Sequence, residues 1–219
     1  MVSTRRRLRH IIFDLDGTLV DSVRITCAII NAMLADRGAT FMADPATARA
    51  MDAMGGESMI AAVMGPHCRD PKKDIVEFRA RHSVAATPPD LAFPGVTDAL
   101  DALARAGVAM TICSNKPQAL CEKILSDLGL VGNFRAIIGS QPDLPRKPDQ
   151  AGAMRALAAM GADCTNSLFV GDSAVDVATA TNAGLDLALV AWGYGIDGAR
   201  RAAPHAPVID DLAQLLDHL

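Results

Sequence analysis

Four short groups of residues have types and spacings that could do chemistry. Asp14-Leu15-Asp16-Gly17-Thr18 follows the apolar run Ile11-Ile12-Phe13. Residues two apart on an extended chain point the same way, so the two carboxylates converge. Like charges that close are costly unless a cation or a shared proton compensates. Gly17 then turns the chain without a Cβ penalty. A strand-end acid pair of this kind suits a bound metal, while the plainer alternative is an Asp-Gly turn. A calcium loop does not fit, because Gly17 is the fourth rather than the sixth residue from Asp14, and Ile25 stands where the closing Glu belongs.

Asp172 and Asp176 open a helical pattern after another apolar run and lie one helical turn apart. They either face the first pair or serve as cap and first-turn acid of their own helix. Between the acid groups come Ser114-Asn115, at the end of a third apolar run, and Lys147 ahead of Pro148. A hydroxyl and an amide offer donors to a phosphate oxygen, and an ammonium neutralises charge that develops in phosphoryl transfer. Taken singly, Ser114 also reads as a turn residue and Lys147 as a surface one.

Bringing such groups together requires strands that end at a common edge. Apolar runs at 8–13, 108–113, 136–138, 167–170 and 187–190, each followed by a helical pattern, predict an α/β fold with a parallel sheet. Their lack of alternation predicts helices on both faces. Helix punctuation agrees: Pro94-Gly95 and Gly107 bracket Val96, Leu100 and Leu103, and Pro117 and Gly129 bracket Leu120, Ile124 and Leu125. Pro148 and Gly161 bracket Met154, Leu157 and Met160, 173–183 closes on Gly184, and 210–219 reads as a terminal helix. Between 20 and 92 there is no strand pattern, only helical spacing at Val23, Cys27, Ile30, Met33 and Leu34 and again over 75–82. The expected organisation is a core of 1–19 and 93–219 split by an all-helical domain, 20–92.

Composition narrows the function classes. With 219 residues, 21 Lys+Arg against 25 Asp+Glu and a formal net charge of -4, the chain is neither a disordered acidic tail nor a basic nucleic-acid binder. No run approaches the ~18 apolar residues of a membrane span. The basic start, Thr4 to Arg9, meets Asp14 before an export signal's apolar stretch could form; it reads as a solvated tail. Five scattered cysteines without a C-x-x-C pair suggest neither disulfides nor zinc, and fit a reducing cytoplasm. Gly193 to Gly198 spells G-x-G-x-x-G, but Pro204 and Pro207 interrupt the stretch where a dinucleotide fold would continue, so it reads as a loop.

The ordered set Asp14 to Ser22, Ser114-Asn115-Lys116-Pro117, Lys147-Pro148 and Gly171-Asp172 through Asp176 resembles the haloacid dehalogenase superfamily of phosphatases, over essentially the whole chain. The resemblance implies a Rossmann-like sheet of order 5-4-1-2-3 with a helical cap domain inserted after the first strand. Sheets of this kind bind ligands where the connections diverge, here between the Asp14 and Asp172 strands. It implies Asp14 as nucleophile and Asp16 as the acid and base on the leaving oxygen and on water, with Gly17 and Thr18 supporting them. Mg²⁺ would be held by Asp14, Asp16 through its backbone carbonyl, and Asp172. Ser114, Asn115 and Lys147 would hold the phosphoryl oxygens, and Asp176 would orient Lys147 or a metal-bound water.

The resemblance also implies that halide displacement is excluded, because members of the superfamily that displace halide have no alkoxide to protonate and lack an acid at the position of Asp16. Phosphoglycolate phosphatase-like members are the most similar, through the first two motifs and Trp192-Gly193-Tyr194-Gly195. The expected activity is Mg-dependent hydrolysis of a small phosphate monoester, phosphoglycolate-like or a sugar phosphate, through an aspartyl-phosphate intermediate, by a monomer or homodimer with no nucleic acid or membrane partner. A phosphomutase and a non-catalytic phosphate-binding regulator are the alternatives. Gly55-Gly56 is the candidate cap loop that meets substrate, or a plain turn between helices.

Overall fold

The computed structural model describes residues 8–218. The basic stretch through Arg7, read as a solvated tail, lies outside them, as does Leu219. In chain order the elements are β1 (His10–Phe13), α1 (Val23–Asp36), α2 (Pro45–Met51), α3 (Gly56–Met64), α4 (Pro71–Val84) and α5 (Val96–Arg105). There follow β2 (Ala109–Pro117), α6 (Gln118–Asp127), β3 (Ala136–Ser140), α7 (Ala151–Met160) and β4 (Ser167–Gly171). The chain ends with α8 (Ala174–Ala183), β5 (Asp186–Val190), α9 (Ile196–Ala202), β6 (Val208–Ile209) and a 3-10 helix, Leu212–His218. Two compact units result: residues up to Val20 with those from Ala92 onward, and Asp21–Leu91.

In the first unit all strands pair in parallel, in the order β3-β2-β1-β4-β5-β6. This is an α/β Rossmann-like sheet, but the expected five-strand order 5-4-1-2-3 needs correction. Read from the opposite edge the order is 6-5-4-1-2-3, because β6 pairs with Leu189 and Val190 outside β5. A two-residue strand beside Pro207 is too short to leave a periodic signal.

Ile11, Ile12 and Phe13 of β1 are all fully buried. Successive strand side chains point to opposite faces, so both faces are covered, and the unbroken apolar run follows from that. On one face Ile12, Cys113, Ile138 and Phe169 pack against Ala153, Ala156 and Leu157 of α7 and Ala180 and Ala183 of α8. Small residues let these helices lie close to the sheet. Of the residues that mark α7 in the sequence, Leu157 is buried beside Gly152, Ala153 and Ala156 and the half-buried Met160 packs against the same cluster, while Met154 is 44% exposed.

Three boundaries differ in ways that bear on the site. β2 continues through Pro117, so Ser114, Asn115 and Lys116 lie within the strand rather than past its tip. The segment read as a loop at 193–198 enters α9 at Ile196, and the chain end is a 3-10 rather than an α-helix. Between Asn115 and Lys147 there are only α6, a 3-10 turn and β3, with no second inserted domain.

The second unit holds four α-helices and no strand among its described residues. α1 buries Val23, Cys27, Ile30, Met33 and Leu34, as their spacing predicts. Asp70 caps α4 by accepting from Lys72 N at 3.0 Å, and Pro71 occupies the first turn, where its missing N–H costs nothing. Arg37 ties α1 to α4 through Asp74 at 2.8 Å and Glu77 at 2.7 Å. Among the described residues no helix is long and apolar enough to cross a membrane.

Candidate active site

β1 and β4 are neighbours, with Phe13 in register with Val170, so the residues that follow both strands emerge together at the carboxyl edge of the sheet. Asp14 N donates to Val170 O at 2.9 Å, fixing the first acid there. The chain then turns within a few residues: Leu19 N reaches back to Leu15 O at 2.9 Å, and Gly17 sits at φ +76°. A side chain at Gly17 would be strained and its Cβ would stand 2.7 Å from Asp172 Oδ2.

Asp172 is buried among groups from three loops. Thr18 Oγ1 donates to its Oδ1 at 3.3 Å and Gly195 N to its Oδ2 at 3.0 Å. A Cβ at Gly193 would lie 2.1 Å from Asp172 Cβ. Trp192 Nε1 donates to Thr18 O at 3.1 Å, joining the β5 loop to the β1 loop. Gly193 thus makes room for the Asp172 side chain, while a Cβ at Gly195 would stand 3.0 Å from Ser173 Cα. Their spacing was visible in the sequence, but only in the pattern of a dinucleotide loop.

Asp176 has both roles the sequence left open. Its Oδ2 closes a capping box on α8, accepting from Ser173 N at 3.0 Å and Ser173 Oγ at 2.7 Å, and also from Asp172 N at 3.2 Å. Its Oδ1 lies 2.7 Å from Lys147 Nζ, which is also 2.9 Å from Asp14 Oδ1. Lys147 is further placed over the Phe169 ring, 5.6 Å from its centroid.

Asn115 grips the Lys147 peptide from β2. Its Nδ2 donates to Lys147 O at 3.0 Å and its Oδ1 accepts from Lys147 N at 2.8 Å. One Nδ2 hydrogen remains beyond that clamp. Ser114 Oγ accepts from Lys116 N at 3.3 Å, which leaves its own proton to donate. The structure therefore gathers Asp14, Asp16, Gly17, Thr18, Ser114, Asn115, Lys147, Asp172 and Asp176 at one end of the sheet.

The Gly55-Gly56 pair belongs to the helical unit. Gly55, at φ +94°, joins a 3-10 turn to α3, and a Cβ at Gly56 would stand 2.7 Å from Ile75 Cδ1. Both glycines have local structural duties there.

A residue to which the sequence assigned no role also enters the site. Lys116 Nζ lies 3.0 Å from both Asp16 carboxylate oxygens.

The family model for haloacid dehalogenase-like hydrolases matches residues 11–190, a span that begins in β1 and contains Asp14, Asp16, Ser114, Asn115, Lys116, Lys147, Asp172 and Asp176. The chain belongs to that family. A phosphoglycolate phosphatase of Rhodospirillum rubrum is 31% identical over 96% of this chain and 90% of its own length. Another, of Cereibacter sphaeroides, is 34% identical over 95% and 98%. Among solved structures, a haloacid dehalogenase-like family protein from Streptococcus pneumoniae superposes with a TM-score of 0.76 at 21% identity, covering 96% of this chain and 97% of its own. That last likeness is one of fold.

The electrostatics of this haloacid dehalogenase-like hydrolase explain why the acids can share so small a space. Burial pushes the Asp14 carboxyl up to about 7, the Asp176 and Asp16 charges add to the rise, and the Lys147 ammonium opposes it. Burial also works against the Lys147 charge, but Asp14 and Asp176 more than offset it and hold the ammonium above its ordinary range.

Four buried carboxylates face two ammonium groups, so the cluster is short of positive charge. Ligand atoms of Asp14, Asp172 and Asp176 lie within 4.8 Å of one another, the span of one cation's coordination shell. Since Asp176 is committed to Lys147 and the α8 cap, Asp14 and Asp172 are the pair suited to hold an ion. These oxygen donors match a hard divalent cation, which would also keep Asp14 ionised at neutral pH.

Proposed function

We propose that this hydrolase removes the phosphoryl group from a small phosphate monoester of the phosphoglycolate type, through a phosphoryl-Asp14 intermediate. The observation that carries the proposal is the asymmetry of Asp14. Its Oδ1 is held by Leu15 N at 2.7 Å and by Lys147 at 2.9 Å, while Oδ2 has no hydrogen-bond partner among the described residues. A carboxylate fixed by one oxygen presents the other to an electrophile in a set direction.

Asp14 Oδ2 attacks phosphorus, the bond from phosphorus to the ester oxygen breaks, and Asp16 gives that oxygen a proton. Asp16 then takes a proton from the water that attacks the phosphoryl group, restoring Asp14 and releasing phosphate. The Ser114 hydroxyl, the remaining Lys147 N–H and the remaining Asn115 amide hydrogen donate to the phosphoryl oxygens. Mg²⁺ would be held by Asp14, Asp172 and the Asp16 carbonyl, and would supply charge neutralisation at the phosphoryl group. The names of the relatives support the substrate class.

The test is phosphate release from a panel of small esters, phosphoglycolate included, with Mg²⁺ and with a chelator, beside Asp14→Asn. Release that needs Mg²⁺ and disappears in Asp14→Asn is the expected result. Chelator-resistant release, or an Asp14→Asn protein with near-normal turnover, overturns it.

A further inference from the structure

Lys116 takes no part in the phosphoryl transfer itself, yet it is built into the site. It is the third of the four residues that β2 carries past Cys113, just beyond its last pairing with β1 at Ile112↔Phe13, and its backbone is fixed on both sides. Its N–H donates to Ser114 Oγ, its carbonyl accepts from Cys121 Sγ at 3.5 Å, and Gly139 of β3 packs so closely that a Cβ there would stand 3.0 Å from that carbonyl. From this anchored position the side chain delivers its ammonium to both Asp16 oxygens, each at 3.0 Å, with both side chains 11% exposed. A surface lysine would not be held this way.

Resting on the reading that Asp16 serves the leaving oxygen, this placement has a chemical consequence. A substituent one carbon beyond that oxygen falls beside Asp16, hence within reach of Lys116 Nζ. The ammonium already takes the two oxygens of a carboxylate. We propose that Lys116 is a specificity-determining residue that binds a carboxylate on the carbon bearing the ester oxygen, and so selects 2-phosphocarboxylates over neutral phosphate esters. An incoming carboxylate takes the place of Asp16 on the ammonium, and Asp16 is freed to turn to the leaving oxygen. A neutral ester brings no anion, so Asp16 stays paired and the nearly buried ammonium has nothing better to bind.

The experiment compares phosphoglycolate with 2-hydroxyethyl phosphate, the same skeleton with the carboxylate replaced by a hydroxymethyl group, in the Mg²⁺-loaded protein. The wild type is expected to prefer phosphoglycolate in kcat/KM. In Lys116→Met the ratio between the two esters should fall by about 10- to 100-fold, the worth of a hydrogen-bonded charge. Lys116→Arg should recover most of the preference. A ratio unchanged in Lys116→Met overturns the proposal, as does a wild type that hydrolyses both esters equally well, a result that needs no variant to fold. No Mg²⁺-dependent release from any ester would instead overturn the phosphatase reading on which the proposal rests.

Discussion

Lys147 Nζ lies 2.7 Å from Asp176 Oδ1, and the other oxygen of that carboxylate caps the helix that begins at Ala174. One side chain therefore fixes both a helix start and the ammonium that contacts Asp14. Asp176→Asn keeps the volume and removes the charge. The buried ammonium then has Asp14 alone, and losing one partner of such a pair should cost about 3 kcal/mol in urea unfolding. Phosphate release should fall by at least about tenfold as Lys147 leaves its place. Stability and turnover both at wild-type levels would show that Asp176 is a cap and nothing more.

Gly193→Ala probes the wall behind Asp172. A Cβ there would clash with Asp172 Cβ, a contact that a shift of the acid would relieve. The expected result is a Mg²⁺ requirement raised about 10- to 100-fold, the usual effect of disturbing a ligand's support, with little change in melting temperature. Gly132→Ala, where a Cβ meets nothing within 4 Å, serves as the control. A Gly193→Ala protein with unchanged Mg²⁺ dependence would mean that the β5 loop yields instead.

The strands and their common edge were legible in the sequence because β1, β2, β4 and β5 are buried on both faces and therefore read as unbroken apolar runs. The clustered acids were legible because each group follows such a run. β6 was not, since two residues beside a proline carry no periodicity. Nor was the duty of Gly193 and Gly195, because their contact with Asp172 joins residues about twenty positions apart in sequence. Lys116 was visible within its motif but carried no role: its partner Asp16 is brought close only by the pairing of β1 with β2. On α7, the spacing of Met154, Leu157 and Met160 picked out Leu157 correctly, but Met154 faces outward and the small Gly152, Ala153 and Ala156 fill the sheet-facing positions.

The helical unit has its own acid-labile point. The Arg37 guanidinium holds the Asp74 carboxyl well below the usual carboxylate range, with burial opposing and the Arg69 N–H assisting. The folded-state pKa is thus lower than the unfolded one of about 3.9. Such a group contributes stability above the unfolded value and loses it as pH falls toward the folded one. Wild type should therefore exceed Asp74→Asn in unfolding free energy at pH 7, with the gap narrowing as pH drops from about 5 toward 3. A gap independent of pH would show that the pair contributes through shape alone.

Thr111 offers a prediction of the opposite sign. It lies in the middle of β2, opposite Ile12 of β1 and Ala136 of β3, fully buried, and its hydroxyl has no hydrogen-bond partner among the described residues. Desolvating a hydroxyl without returning a hydrogen bond costs about 1–3 kcal/mol in proteins. Valine has nearly the same shape and no polar atom, and β-branching suits it equally to a strand. Thr111→Val should accordingly raise stability by about 1 kcal/mol, read as a higher urea midpoint at unchanged slope. Because Thr111 faces the α7 side with Ile12 rather than the acids at the strand ends, kcat and KM should stay at wild-type values. A loss of stability in Thr111→Val would mean that the hydroxyl makes a hydrogen bond in solution, and that this position in the core is polar by requirement.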